Sequence, residues 1–226
     1  MIKYCTIYGE RCSGTNYLQN VINANFDVEF EEYKYGWKHF FGFDDLSDTD
    51  DVLFIGIVRN PFKWINSLYI EKHHIPYNLC KSIDNFLNDE FYSTCNYTDK
   101  IEDEIELIKD RHIYDTNNRK YKNIFEMRHT KLKFLIDDMP TKVKNYIFIK
   151  YEDLLNDFEN TLNKIKDKGL KLKENIQYPV NIYYYTKNKD VLFNNTSKPE
   201  LLNKDLLLDK FIPEYEIKLN YINYKN

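Results

Sequence analysis

The sequence predicts an α/β fold of three layers, α/β/α, in which helices cover both faces of a central parallel sheet. Short apolar runs alternate along the chain with helical patterns, and this order is typical of parallel sheets. The continuous apolar run over residues 52–58 suits a central strand that is buried on both faces. The length of 226 residues fits a single domain, residues 1–226, with a sizeable core.

Hydrophobic periodicity predicts the individual elements. The predicted strands cover residues 2–8, 25–30, 52–58 and 146–150. The predicted helices cover residues 15–23, 61–73, 83–91, 123–138, 152–166, 201–208 and 214–219. The second of these helices has a clear start, because Asn60 is a favoured N-cap and Pro61 a favoured first helical residue.

Composition excludes several classes of function. The 32 basic and 36 acidic residues give a formal net charge of -4 without a long basic stretch, so no nucleic-acid partner is expected. The N-terminus lacks the layout of a signal peptide, and the longest apolar run is far too short to span a bilayer. We therefore expect a cytoplasmic protein with no membrane partner. The four cysteines have no close metal-ligand spacing, so we expect free thiols and no metal.

A loop with anion-binding chemistry follows the first predicted strand. Gly9 and Gly14 give it a G-x-x-x-x-G outline, which permits a tight turn and lets backbone N–H groups approach an anion at a helix N-terminus. Thr15 stands where a Walker A loop needs Lys, and Arg11 is the nearby cation instead. The predicted binding residues are Arg11, Cys12, Ser13, Gly14, Thr15 and Asn16. An ordinary strand–helix turn is the alternative interpretation.

A second group with anion-binding chemistry follows the strand at residues 52–58. Arg59 ends this strand and offers a forked cation for a phosphate. Ser67 lies on the same helical face as Asn60, about 10 Å further along the axis. Because ligands bind at the carboxyl ends of parallel strands, two such groups indicate a nucleotide with phosphates at both ends. Alternatively, Arg59 forms a salt bridge to a loop carboxylate and Ser67 is a neutral helix residue.

Together these segments resemble the sulfotransferase family, whose donor is 3′-phosphoadenosine 5′-phosphosulfate. The resemblance is carried by S-G-T-N at residues 13–16, by R-N-P at residues 59–61 with S-L-Y at residues 67–69, and by K-Y-E-D-L-L at residues 150–155. It implies a P-loop NTPase-like sulfotransferase fold. It also implies that the Ser-Gly-Thr loop holds the 5′-phosphosulfate, and that Arg59 and Ser67 hold the 3′-phosphate.

The chain departs from the family pattern in two places. Cys12 stands where the family usually has Lys or Arg directly before Ser-Gly-Thr, and Arg11 lies one residue earlier. The family's basic Arg-Lys-Gly stretch near the C-terminus is missing, and Lys187 or Lys189 is a candidate replacement. These departures bear on how the donor would be held, so a non-catalytic nucleotide-binding protein stays open as an alternative.

The resemblance also implies a catalytic base. In cytosolic sulfotransferases the catalytic His follows a Lys, and Lys38 with His39 resembles that pair. A histidine has an unperturbed pKa of about 6.5, which suits proton transfer near neutrality; Lys38 would stabilise the leaving phosphate. Alternatively, residues 37–39 are an aromatic packing segment, and the base is one of Glu10, Glu31 and Glu32.

One further cation is a candidate ligand for the acceptor. Arg128 and Lys131 lie one turn apart on a predicted helix, where Arg128 would bind the acceptor or belong to a solvated basic face. The function predicted from all these residues is transfer of a sulfuryl group to a hydroxyl or amine of a small-molecule or glycan acceptor. The alternatives are a P-loop kinase or NTPase, which Thr15 and the lack of a Walker B Asp argue against, and the non-catalytic binder.

Overall fold

The computed structural model of the chain describes residues 2–95, 105–178, 183–186, 189–192 and 199–223. The strands are β1 (Tyr4–Tyr8), β2 (Glu29–Phe30), β3 (Val52–Val58), β4 (Tyr146–Lys150), β5 (Tyr183–Thr186) and β6 (Lys189–Leu192). The α-helices are α1 (Thr15–Asn25), α2 (Pro61–Glu71), α3 (Ile83–Asn88), α4 (Ile124–Lys133), α5 (Met139–Lys142), α6 (Tyr151–Asn156), α7 (Phe158–Lys166), α8 (Lys204–Leu208) and α9 (Pro213–Lys218). No helix within the described ranges has the length and apolar character needed to cross a bilayer.

The chain divides into two compact units. The first unit comprises Met1–His39, Asp44–Arg59 and Leu135–Lys198. The second unit comprises Phe40–Phe43, Asn60–Phe134 and Pro199–Asn226. The assignment of residues 1–226 to one domain stays a prediction.

The first unit is built on a four-stranded sheet with the order β2-β1-β3-β4. Every neighbouring pair in this sheet is parallel, so the predicted α/β fold class with a central parallel sheet is confirmed. β3 is buried along its whole length, which explains its continuous apolar sequence. Strands β5 and β6 form a separate antiparallel pair.

One face of the sheet packs against α1, α6 and α7. Their apolar residues, among them Leu18, Leu154 and Ile165, join Ile7 and Ile55 of the sheet in one buried cluster. A Cβ on Gly56 in β3 would clash with the Tyr146 hydroxyl, and that hydroxyl donates to the carbonyl oxygen of Leu135 at 2.6 Å. Only glycine leaves room for this contact.

The second unit is largely helical and contains α2, α3, α4, α8 and α9. Asn60 caps α2 as predicted, because its side chain accepts from the backbone N–H groups of Phe62 and Lys63 and Pro61 begins the helix. Asn66 of α2 donates to the carbonyl oxygen of Pro199 at 2.8 Å and accepts from the N–H of Leu201 at 2.8 Å. These contacts fix the segment that leads to α8.

Several predicted bounds were wrong. Residues 152–166 form two helices, because Asp157 has φ -141° and ψ 52° and ends the first of them. Its carbonyl then accepts from the N–H of Thr161, in the second helix, at 3.0 Å. The predicted strand 25–30 pairs with β1 only at Glu29–Phe30, and α2 ends at Glu71 rather than at residue 73. The β5–β6 hairpin was not predicted.

Candidate active site

Three strands of the first unit end next to one another at the carboxyl edge of the sheet. Gly9 directly follows β1, Arg59 follows β3 and Tyr151 follows β4. Since β1, β3 and β4 are adjacent and parallel, the three residues share the edge at which such sheets bind ligands. This edge therefore carries the Gly9–Thr15 loop and Arg59, which the sequence predicts as anion-binding groups.

The loop between β1 and α1 is a tight turn. Both the backbone N–H and the Oγ of Ser13 donate to the carbonyl oxygen of Glu10, at 3.1 and 2.5 Å. A Cβ on Gly9 would lie 2.8 Å from this Oγ and 2.7 Å from Ile57, so glycine is required there. Cys12 has φ 63°, a left-handed conformation that is uncommon for a residue with a side chain.

The loop ends at the N-terminus of α1, which is 11 residues long. Gly14 precedes the helix with φ 99°, a conformation that glycine adopts without the usual steric penalty. It has no side chain that could cap the helix. Backbone N–H groups in the first turn of a helix lack intrahelical partners, and the helix dipole favours negative charge there. The turn thus has the chemistry of a phosphate cradle.

Tyr151 connects the loop to Arg59. A Cβ on Gly14 would clash with the ring of Tyr151, and the Arg59 guanidinium lies 4.8 Å from the centre of the same ring. Tyr17 of α1 contacts it edge-on, with ring centres 6.0 Å apart. Tyr151 belongs to the K-Y-E-D-L-L motif, but the sequence predicts no site role for it. Its place directly after a predicted strand was the available signal.

Arg59 also contacts the loop directly. Its Nη1 donates to the carbonyl oxygen of Cys12 at 3.2 Å. An aromatic ring and a backbone carbonyl are neutral, so these two contacts orient the guanidinium without cancelling its charge. The structure therefore brings Arg59 together with the Gly9–Thr15 loop.

The segment that carries Lys38 and His39 is hydrogen-bonded to the start of the loop. The N–H of Gly9 donates to the carbonyl oxygen of Lys38 at 2.9 Å. His39 is buried, and its Nδ1 lies 2.7 Å from the carbonyl oxygen of Gly9. Because a carbonyl oxygen only accepts, Nδ1 carries the proton and Nε2 is the basic nitrogen of the neutral ring. This contact positions the imidazole beside the loop.

The Lys38 ammonium lies beside the first turn of α1. Its Nζ donates to Oδ1 of Asn16 at 2.6 Å and to Oε1 of Gln19 at 3.3 Å. Burial lowers the pKa of Lys38 from its ordinary value, and the nearby carboxylate of Glu32 opposes this shift. Asn16 directly follows Thr15, the position at which a Walker A loop has its lysine. Lys38 therefore provides a cation close to that position from another part of the chain.

Arg11 points into the protein. It is 1% exposed, and its Nε lies 3.7 Å from Oε2 of Glu10, which is also buried. The negative charge of Glu10 offsets the positive charge of Arg11. This arrangement favours a structural role for Arg11 over a role as the main cation of the loop.

Ser67 and Arg128 lie in the second unit. Ser67 is buried on α2. Arg128 of α4 is also buried; its Nε and Nη2 donate to the two carboxylate oxygens of Glu216, at 2.5 and 3.1 Å, and its guanidinium lies 4.7 Å from the centre of a Trp64 ring. The roles of Ser67 in donor binding and of Arg128 in acceptor binding stay predictions.

Three further predictions concern the lysines near the C-terminus, metal ligands and the cysteines. Lys187 falls outside the described residues, and Lys189 is described only in its backbone. Within the described ranges, no group of three or more His, Cys, Asp or Glu side chains could hold a metal ion. The four cysteines, all in these ranges, form no disulfide.

A comparison with solved structures finds one that is similar to this chain. It is mouse sulfotransferase SULT7A1 complexed with PAP, which is 17% identical to this chain at a TM-score of 0.39, over 96% of this chain and 82% of that one. At this TM-score the likeness does not bear on fold or function. No family model matches the chain, and no curated protein matches it.

Proposed function

We propose that this protein is a sulfotransferase that moves a sulfuryl group from 3′-phosphoadenosine 5′-phosphosulfate to a hydroxyl or amine of a small-molecule or glycan acceptor. The observation that carries the proposal is the meeting of three groups at one sheet edge. These are the Gly9–Thr15 loop, the Arg59 guanidinium that donates to Cys12, and the Lys38–His39 segment that is hydrogen-bonded to Gly9.

The donor carries negative charge at both ends, and two cations of this edge suit it. Arg59 and Lys38 make contacts with neutral oxygens of Cys12 and Asn16, and these contacts leave their charges in place. The backbone N–H groups at the start of α1 add donors for the 5′-phosphosulfate. Arg59 and Ser67 would hold the 3′-phosphate.

The transfer step needs a base and a stabilised leaving group. The acceptor oxygen or nitrogen forms a bond to sulfur as the bond between sulfur and the bridging phosphate oxygen breaks, and the bond's electrons leave with 3′-phosphoadenosine 5′-phosphate. The acceptor proton goes to Nε2 of His39, since Nδ1 is the donor to Gly9. The Lys38 ammonium stabilises the charge that develops on the departing phosphate. Because that phosphate is already a good leaving group, the reaction requires no metal.

The first test is calorimetric titration with 3′-phosphoadenosine 5′-phosphate, compared with ATP in the presence and absence of Mg²⁺. We expect tight, metal-independent binding of the bisphosphate and weak binding of ATP. A preference for ATP with Mg²⁺ would instead support a kinase or NTPase. Binding of neither nucleotide would contradict the donor site itself.

The second test separates catalysis from binding at His39. We expect His39→Asn to lower kcat by roughly 10²–10⁴-fold, the range for loss of a general base, with donor affinity nearly intact. The asparagine amide can still donate to the Gly9 carbonyl oxygen, so the loop keeps its support, whereas His39→Ala removes both functions. Full activity in both variants would exclude His39 as the base. Donor binding without turnover in any form of the protein, wild type included, would support the non-catalytic alternative.

A further inference from the structure

A small cavity that is open to solvent lies in the first unit beside Lys38. The residues that line it include Glu31, Glu32, Tyr33, Trp37 and Gln19. It is distinct from the Gly9–Thr15 loop but shares a wall with the segment that carries His39. A cavity lined by aromatic rings and a few polar groups is the usual form of a small-molecule site.

The cavity exists because the chain leaves the edge of the sheet. β2 pairs with β1 only as far as Phe30, and the N–H of Glu31 still donates to the carbonyl oxygen of Cys5 at 2.9 Å. The chain returns to the β1 side at Lys38, whose carbonyl oxygen accepts from Gly9. The residues between Glu31 and Lys38 therefore bend around a gap beside the middle of β1.

A chain of polar contacts joins this cavity to the loop. Lys38 donates to Asn16 at the start of α1 and to Gln19 one turn later, and Gln19 donates to Oε1 of Glu32 at 2.7 Å. Trp37, which also lines the cavity, contacts His39 behind it, with ring centres 4.8 Å apart. A molecule in the cavity would thus contact Trp37 and Lys38, which in turn contact the proposed base and the start of α1.

The charges and rings of the walls favour one class of ligand. Among the residues that line the cavity, Glu31 and Glu32 contribute two negative charges and Lys38 contributes one positive charge. Lys38 is also held towards α1 by its bonds to Asn16 and Gln19. Tyr33 is 71% exposed, as a ring at the rim of a binding site would be. Carboxylates beside aromatic faces attract an ammonium group by charge and by cation–π interaction, and they repel an anion.

We infer that this cavity is the acceptor site and that it takes a hydroxyl-bearing acceptor with a positively charged amine. The ammonium group binds beside Glu31, Glu32 and the aromatic residues of the lining, and a hydroxyl faces Lys38, which directly precedes His39. The assignment as an acceptor site rests on the proposed sulfotransferase function. The preference of the cavity for a cation rests only on its own walls.

Ligand-observed NMR titration without donor tests the preference for a cation. Three probes share one ring and differ in charge: glucosamine, glucose and glucuronate. We expect glucosamine to bind about tenfold more tightly than glucose, which corresponds to about 1.4 kcal/mol, and glucuronate to bind more weakly than both. Equal affinities for glucosamine and glucose, or no binding of any probe at tens of millimolar, would overturn the inference.

Variants of the lining residues test whether the preference for a cation arises in this cavity. In the double variant Glu31→Gln with Glu32→Gln, we expect the affinity ratio of glucosamine to glucose to fall to about one. Glu29→Gln is the matched control, because Glu29 is an exposed carboxylate of the same segment that does not line the cavity, and it should keep the wild-type ratio. Thermal melting shows whether each variant is folded. If the folded double variant keeps the wild-type ratio of glucosamine to glucose affinity, the ammonium group binds elsewhere and the inference is refuted.

A transfer assay then separates this inference from the proposed function. With 3′-phosphoadenosine 5′-phosphosulfate present, we expect sulfation of glucosamine to exceed that of glucose in the wild type but not in the double variant. Failure to bind 3′-phosphoadenosine 5′-phosphate, with the NMR preference intact, would refute the sulfotransferase and leave a cation-binding cavity. Donor binding and sulfation of glucose alone would refute the cavity's role and keep the enzyme.

Discussion

The second unit and the carboxyl edge of the first unit use their basic side chains in different ways. In the second unit, Arg128 and Lys131 are almost completely buried, and each contacts a carboxylate. Arg128 donates twice to Glu216, and Lys131 donates to Asp110, which also accepts from Ser93. These contacts neutralise charge inside the unit, so they serve its structure.

At the sheet edge of the first unit, Arg59 and Lys38 donate hydrogen bonds to neutral oxygens, whereas the buried Arg11 lies beside Glu10. Arg59 donates to the Cys12 carbonyl oxygen and lies over the ring of Tyr151, and Lys38 donates to side-chain amide oxygens. A hydrogen bond to a neutral acceptor orients a cation without itself cancelling the charge of that cation. The difference indicates that the role of an arginine in this chain follows from the groups that its guanidinium contacts, and not from its position in the sequence.

The largest expected effect is on the stability of the second unit. Glu216→Ala removes the carboxylate that both Arg128 nitrogens contact, and breaking a buried ion pair in this way costs about 3–5 kcal/mol. We expect that loss in the free energy of unfolding, measured by urea denaturation. The control is Glu214→Ala, because the Glu214 side chain is 64% exposed and its loss should change stability little. Equal stability of the two variants would show that the ion pair of Arg128 and Glu216 does not stabilise the second unit, which would contradict the structural role given to its basic side chains.

The next effect is on the loop itself. Gly14→Ala introduces a Cβ that clashes with Tyr151 at a φ of +99°, a conformation that costs roughly 1–3 kcal/mol for a residue with a side chain. We expect lower stability and a more than tenfold loss of affinity for 3′-phosphoadenosine 5′-phosphate by calorimetry, because the clash displaces the phosphate cradle.

Gly169→Ala is the matched control for Gly14→Ala. Gly169 has nearly the same φ, +102°, and its Cβ would lie 3.3 Å from Ile2, outside the loop. This variant should lose stability through the same backbone strain and keep donor affinity. A similar loss of affinity in both variants would mean that the Gly14 effect reflects global stability and not the loop.

Much of the first unit could be predicted because its signals are local. The bounds of β3 and β4 were predicted correctly, since a continuous apolar run identifies a buried parallel strand. Adjacent strand ends then place Arg59 near the loop whatever the details of packing. The break at Asp157 was missed, although Asp is a favoured residue at a helix start; the apolar face at Leu155, Phe158 and Leu162 was interpreted as one helix.

The remaining features of the site depend on contacts between distant segments. The bonds from Lys38 to Asn16 and from His39 to Gly9 span 22 and 30 residues, and no local pattern encodes them. The burial of Arg11 beside Glu10 could not be inferred either, because an arginine in a glycine-bounded turn fits a ligand and an internal ion pair equally well. Sequence identified the groups, and tertiary packing determined which charges are neutralised.

A smaller effect is expected from the removal of Arg59. Arg59→Ala should weaken binding of 3′-phosphoadenosine 5′-phosphate by roughly 10–100-fold, which corresponds to the loss of a charged hydrogen bond, with little change in stability. Ser67→Ala should have a weaker effect, because a hydroxyl donates without charge. Arg59→Lys keeps the charge but loses the planar group over Tyr151, so an intermediate affinity is expected. Unaltered affinity in Arg59→Ala, measured by calorimetry, would exclude Arg59 from the donor site.

The smallest effect is a pH dependence that arises from Lys38. Burial lowers the pKa of this ammonium, so it loses its proton at a lower pH than an ordinary lysine, whose pKa is about 10.4. The charged form attracts phosphate and the neutral form does not. We therefore expect affinity for 3′-phosphoadenosine 5′-phosphate to be full at neutral pH and to fall several-fold as the pH rises through the lowered pKa, in calorimetry between about pH 7 and 10.

Lys38→Arg distinguishes this titration from general alkaline effects. A guanidinium stays charged throughout that range, so the variant should bind with nearly constant affinity where the wild type weakens. An identical alkaline decline in both proteins would show that another group titrates. In that case Lys38 would resemble the neutralised charges of the second unit, and Arg59 would be the main cation of the site.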